Sequence, residues 1–444
     1  MKNKLKGLVM VFSLLSLQLT AQEKKTLSLN EAIDLSIQNS KQLKTSQAKI
    51  EEATAALKEA VEKKLPDAKV SGSYLRLNSA NFELKTKSNN NGGTGTSNEE
   101  PKISQAVYGL LNLSLPIYSG GRIRYGIESS KFLEQAAKLD AEADKDEVIQ
   151  NTIEAFANLF KAKTAVRLVN ENLTQSQQRE KDLGNLEKNG LLARNDLLKA
   201  QLQSSNVELS LLDAENNLQL ANINMDLMLG LATSTELVLD TTGIKRKEDS
   251  RILDDYLNAA LSNRKDIAAI DHRKKAAESG VKVVKSELYP SLALTGGYIA
   301  ADIPHVFSVT NAVNVGVGVS YNIGSLWKNK SKVQQAEARV KQLAIEGTMI
   351  DDEIRLQVNK NYLSLLSNRK KIEVYAKAVE QAQENYRIVK NKFDNNLALT
   401  SDLLDADIAQ LQARLSYTLA MADAFVAYNK LLQTAGILSA ELKK

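Results

Sequence analysis

The sequence predicts a mainly α-helical chain with a membrane β-barrel part, built as one helix–strand–strand–long helix–helix unit written twice. Three observations lead there. Segments recur along the chain at fixed offsets. Two runs of roughly 70 residues contain no breaker pair. Two pairs of alternating segments, each about ten residues long, occupy matching places in the two halves.

The duplication is read residue by residue. Leu65-Pro66 through Gly72 and Tyr74 return as Tyr289-Pro290 through Gly296 and Tyr298, at 290 − 66 = 224. The same offset pairs Ile33, Ile37 and Asn39 with Leu257, Leu261 and Asn263. Further on, Ile117 matches Ile323, Asp196-Leu197-Leu198 matches Asp402-Leu403-Leu404, and Gly230 matches Gly436, at 323 − 117 = 206. The difference, 224 − 206 = 18 residues, falls between Leu77 and Ala106, in a polar loop containing the low-complexity run 88–95. The expected division is a signal peptide over 1–21, a first repeat over 22–231 with strands near 68–77 and 107–117, a linker over 232–250, a second repeat over 251–437 with strands near 291–300 and 312–323, and a tail over 438–444.

The chain opens on an export signal. Lys2, Lys4 and Lys6 precede the apolar run from Leu8 to Leu19, and Ala21 offers a cleavage point. That run is shorter than the ~20 residues a spanning helix needs. In each unit a helix then ends at a proline, Pro66 or Pro290, and a strand begins; Pro101 and Pro304 belong to the loops and Pro116 to a strand end. The clearest strand is Ala312 to Ile323, where Val313, Val315, Val317, Val319 and Tyr321 alternate with small and polar residues. Alternation alone fits a soluble sandwich better. Only four strands exist per chain, however, too few to close a barrel, and open edges cannot face lipid; three chains would supply 3 × 4 = 12 strands and one closed wall.

The long helices run from about Gly121 to Asn189 and from about Leu326 to Asn395. At 1.5 Å per residue each is about 100 Å long. Leu365, Ile372, Val379, Tyr386 and Phe393 recur every seven residues, and Leu404, Ile408, Leu411 and Leu415 continue the seam after the turn. This is coiled-coil packing between antiparallel helices.

Composition narrows the function. Net charge is 58 − 53 = +5, and 55 − 53 = +2 without the signal, so a nucleic-acid partner is not expected. There is no cysteine, and His272 and His305 lack the Glu-x-x-His pairing of a di-iron bundle. No phosphate-binding loop is present. The reading is therefore no enzyme, no cofactor and no metal. A soluble coiled-coil adaptor would account for the heptads but not for the paired strands.

Together these features make the chain resemble the TolC family of outer membrane efflux proteins, over essentially the whole mature length. The resemblance includes Leu115-Pro116-Ile117-Tyr118-Ser119-Gly120-Gly121 at the strand-to-helix segment. It also includes the turns from Asn189 to Leu198 and from Asn396 to Ala406. It implies a homotrimer in which a twelve-stranded barrel in the outer membrane lipid continues as a twelve-helix tunnel through the periplasm. The linker, with a short strand at Glu236 to Asp240, and the chain ends would form an equatorial belt. A periplasmic adaptor (membrane fusion) protein and an inner membrane transporter would complete a tripartite efflux system. The exit duct of a type I protein secretion system is the alternative within the family.

The resemblance also assigns site residues. Asp402 and Asp405 match the family's acidic pair at the channel entrance, and Asp196 matches an aspartate near the first unit's turn. Rings of carboxylates around a three-fold axis would favour cations. As plain structure, Asp402 would be a helix N-cap with Ser401 as competitor, and Asp405 a favourable charge in the first turn. Phe393 stands where the family has a tyrosine and lacks its hydroxyl, and Ala398 stands where it has an arginine, so closure is expected to rest on packing. Gly190, Leu191, Asn396 and Leu397 form the tips expected to contact the adaptor. Tyr118, Tyr125, Tyr289 and Trp327 gather at the strand–helix junctions, as an interfacial girdle or as plain packing residues.

Overall fold

The structure is a computed structural model that describes residues 24–80, 103–243, 249–304 and 307–442. The signal peptide, Pro101, His305 and the low-complexity run 88–95 lie outside the described residues. In chain order the elements are β1 (Lys24–Leu27), α1 (Leu29–Asn39), α2 (Lys41–Glu62), β2 (Asp67–Ala80), β3 (Ile103–Tyr118), α3 (Arg122–Lys188), α4 (Arg194–Leu229), β4 (Glu236–Leu239), α5 (Leu253–Asn263), α6 (Lys265–Lys285), β5 (Ser291–Ile303), β6 (Phe307–Ser320), α7 (Ser325–Asp394), α8 (Thr400–Thr434) and α9 (Leu438–Glu441). Single 3-10 turns sit at Thr241–Gly243 and Ser286–Leu288. Among the described residues no helix is long and apolar enough to cross a membrane.

The chain forms two compact units. One comprises Lys49–Lys138 and Ala268–Gly347 and holds a single antiparallel sheet in the order β2-β3-β5-β6. Each strand is longer than its alternating segment suggested, and β6 starts at Phe307 and stops at Ser320, short of Ile323. Period-two side chains sort the faces. Val70, Leu111, Tyr298 and Val313 form one row across the sheet, and Leu115, Leu294 and Val317 form another on the same face. The opposite face carries small and polar groups, such as Ser114, Thr295 and Gly316. Glycine is required on that face at Gly297, where a Cβ would fall 2.6 Å from the Leu111 carbonyl oxygen. Val313, Val315, Val317 and Val319 are each about two-thirds exposed or more. β2 and β6 are the edges: among the described residues β2 pairs only with β3 and β6 only with β5.

The second unit comprises the chain up to Ala48, Leu139–Ile267 and Thr348–Lys444, and holds β1, β4 and most of the helical hairpins α3–α4 and α7–α8. α3 is 67 residues long and α7 is 70. β1 and β4 pair in parallel from Lys24–Glu236 to Leu27–Leu239. Beside them Leu27, Phe156, Leu159, Met225, Leu229 and Leu237 form one core, and Ile153, Tyr256, Ile354, Val358, Leu431 and Leu432 form another. The heptad seam is borne out: Leu365 is buried, Ile372, Val379, Tyr386 and Phe393 are half-buried, and most of their neighbours face solvent.

One expectation is corrected. The helix that opens each repeat is two helices. Ser40 and Arg264, which are repeat-related, leave the helical conformation with ψ of 121° and 129°. Ser40 Oγ then accepts from the Leu43 N–H and starts α2. Asn39 Nδ2 donates to the carbonyls of Leu35 and Leu229, so a long-range bond joins the local cap at the break.

Candidate functional site

The two hairpin tips are built by the same backbone device. At the first, Gly190 takes φ +71°, its N–H donates to the Glu187 carbonyl and the Leu191 N–H donates to Leu186. At the second, Asn396 takes φ +57°, its N–H donates to Phe393 and the Leu397 N–H donates to Lys392. Both are Schellman endings, which satisfy the last carbonyls of a helix through one left-handed residue. Glycine adopts that conformation without strain, and asparagine is the side chain that best tolerates it. Leu191 and Leu397 project outward, 72% and 76% exposed.

Beyond each turn the next helix begins with an aspartate, but the two beginnings differ in charge. In α4, Asp196 pairs with Lys199 at 3.1 Å, and Arg194 stands two residues before it. In α8 the position matching Lys199 is Asp405, so Asp402 and Asp405 share one exposed face without a neutralising lysine. Asp402 also caps its helix: its Oδ2 accepts from the Leu399 N–H at 3.1 Å. Ser401 does not take that role, and leucine at the cap position has no acceptor of its own. The acidic first turn is favoured by the helix dipole as well.

Phe393 is half-buried and packs against Leu183, Leu197 and Ala200, with Leu186 and Leu192 alongside. It thereby joins the end of α7 to the first hairpin by apolar contact. Behind this cluster lies a polar network that the sequence reading missed. Arg179 Nη1 and Asn172 Nδ2 donate to the same Asp407 oxygen at 3.1 and 3.0 Å, and Arg179 Nη2 donates to the Tyr386 hydroxyl at 3.4 Å. Arg179 is 9% exposed and Asp407 1%. Burial works against the guanidinium charge, but the Asp407 carboxylate outweighs it and holds the Arg179 pKa above its ordinary value. Its signal in the sequence was a carboxylate three residues after Leu404 and one before Ile408, on the apolar seam itself.

A sequence profile of the family described as outer membrane efflux protein matches residues 32–231 and 256–437. No curated protein sequence matches the chain. Among solved structures, the chain is similar to the Campylobacter jejuni CmeC outer membrane channel at 19% identity and a TM-score of 0.76, over 94% of this chain and 88% of that one. It is similar to the outer membrane protein VceC from Vibrio cholerae at 19% identity and a TM-score of 0.74, over 92% of this chain and 96% of that one. The outer-membrane channel OprN shares 18% identity at a TM-score of 0.75, over 92% of this chain and 89% of that one. At such identities these likenesses speak for the fold. The profile takes in both repeats with their strands, long helices and tips, and on that match the chain belongs to the outer membrane efflux protein family, non-enzymatic channels of the Gram-negative outer membrane.

Proposed function

We propose that three copies of this chain form one channel-tunnel, the exit duct of a tripartite efflux system. The observation that carries this reading is the four-stranded sheet with one exposed apolar face and two unpaired edges. Unpaired backbone groups cannot face hydrocarbon, so β2 and β6 must find partners on other copies. Three copies give 3 × 4 = 12 strands and, from α3, α4, α7 and α8, 3 × 4 = 12 helices. Leucine stripes support the same assembly. On α7, Met349, Leu356 and Leu363 are exposed at seven-residue spacing, and on α4 Leu202 and Leu209 are likewise seven apart and exposed. Such seams are covered by a neighbouring helix.

In this reading the chain divides into the repeats 22–231 and 251–437 with a belt linker over 232–250. The tips Gly190-Leu191 and Asn396-Leu397 meet the hairpins of a periplasmic adaptor. The inner membrane transporter supplies the energy, and the duct is passive. Asp402 and Asp405 line the entrance, Asp196 contributes little net charge beside Lys199, and Phe393 closes the entrance by packing. Light scattering of the purified protein in detergent tests the assembly: three chains per particle are expected, and a folded, stable monomer refutes the barrel.

A further inference from the structure

Two grooves flank the strand ends in the sheet-bearing unit. The larger, about 910 Å³, includes Asp67, Ser114, Pro116 and Ala293, which belong to the small-polar face of the sheet, together with Arg122 and Gly126. The smaller, about 520 Å³, lies between the end of α6 and the head of α7 and is lined by Lys285, Leu288, Tyr289, Leu326, Lys330 and Val333, among others. α6 and α7 meet where Asn329 Nδ2 donates to the Val284 carbonyl at 2.9 Å. The Lys332–Glu287 pair at 2.7 Å lies to one side of that line, and the Lys285–Glu337 pair at 2.9 Å lies to the other. The smaller groove lies where the valine-bearing strands run into the helices, between Tyr289, which precedes β5, and Leu326, which follows β6.

The charged lining of that groove is Lys285, Lys330 and Glu337, basic on balance. Lys330 is exposed and has no partner among the described residues. Its repeat counterpart, at 330 − 206 = 124, is Arg124, whose guanidinium lies 6.0 Å from the Tyr125 ring centre. Lys282 approaches the same ring at 5.4 Å. A cation thus recurs in both repeats at the border where the apolar strand face ends and the helices begin. Leu288, Tyr289 and Leu326 are exposed in the same place. Apolar groups above and ammonium groups below match the order of chains and phosphate in a phospholipid leaflet.

We propose that this groove seats the headgroup of an anionic phospholipid, with Lys330 and Lys285 at the phosphate and Leu288, Tyr289 and Leu326 against the first carbons of the acyl chains. The inference rests on the reading above that the valine face meets lipid. Trp327, the only tryptophan of the chain and 66% exposed, is next to Leu326 and reports on the site. The whole protein is placed in bilayers of equal phosphatidylcholine and phosphatidylglycerol, with one or the other lipid brominated high in its chains. Brominated phosphatidylglycerol should quench Trp327 more than brominated phosphatidylcholine, reflecting a local enrichment of about fivefold for a single well-placed lysine. Lys330→Gln together with Lys285→Gln should abolish the excess while leaving quenching by phosphatidylcholine unchanged, and Lys330→Arg should retain it. Equal quenching by the two lipids in the wild type overturns the site. Loss of the excess in inorganic phosphate, but not in chloride of the same ionic strength, also overturns it by assigning the cations to free phosphate. Quenching by neither lipid overturns the lipid-facing reading of the sheet itself, and the site with it.

Discussion

Replacing Asp226 by asparagine should change how stability depends on pH, with a sign set by its burial. Asp226 lies near the end of α4 and is 0% exposed. Its Oδ2 accepts from Asn222 Nδ2 at 2.9 Å, and its Oδ1 has no partner among the described residues. Met225, Leu229 and Leu237 of the apolar core are its neighbours along α4 and β4. Burial pushes its pKa up from 3.8 to about 6. The folded state therefore holds a proton that the unfolded chain has released. Below about pH 4 both states are protonated and nothing is lost; as pH rises through about 6 the native state comes to carry a buried charge and loses stability. A rise of roughly two units, at about 1.4 kcal/mol each, makes the loss about 3 kcal/mol per chain. An amide at this position cannot ionise, so Asp226→Asn should gain about that much on the wild type between roughly pH 4 and 7.5. Any fixed cost of burying an amide cancels when the two pH values are compared, as do all other titrating groups. Thermal unfolding of the purified assembly at both pH values is the assay. A variant-minus-wild-type difference that is the same at both would show that Asp226 does not take up a proton on folding, and the argument from burial would fail.

Other outcomes follow from the tips and the buried network. Arg179→Met leaves the Asp407 carboxylate buried without its cation and should cost about 3–5 kcal/mol, whereas Arg179→Met with Asp407→Leu should recover most of it; denaturant unfolding measures both. Asp402→Asn with Asp405→Asn should reduce cation preference and block by multivalent cations in planar bilayers with little change in unit conductance, because an amide oxygen in place of the Asp402 carboxylate can still accept from the Leu399 N–H; wild-type selectivity would reduce the pair to helix-start residues. Leu191→Asp with Leu397→Asp should leave thermal stability within about 0.5 kcal/mol and abolish efflux in complemented cells, since both side chains are exposed at the tips. Gly190→Ala forces a side chain into φ +71° and should destabilise by about 1 kcal/mol, read as a lowered melting temperature.

The two tips share a backbone and differ in charge, and this bears on how the hairpins divide their work. Asp196 is answered by Lys199 one turn on, while Asp402 is followed by Asp405. Duplication thus preserved what the turn needs, a left-handed residue and an exposed leucine, and left the helix starts free to diverge. Of the two helix starts, only the second carries an aspartate pair without a lysine beside it.

The sequence by itself determined the repeat, the strand faces, the long helices and the tip turns. Each of these depends on interactions a few residues apart: period-two side chains for the valine row, the absence of proline from α3 and α7, and a left-handed residue at Gly190 and Asn396. Only the tertiary structure decided which groups meet across long separations. β1 pairs in parallel with β4, more than two hundred residues away, with no turn to announce it. The break at Ser40 is joined by the bond from Asn39 to Leu229. Asp407 on the seam signalled a polar interior, but only the packing of α3 against α8 supplied Arg179 and Asn172 to neutralise it. Local rules fix the conformation of a segment because its hydrogen bonds close within it, whereas a buried charge is fixed by whatever partner the packed helices bring to it.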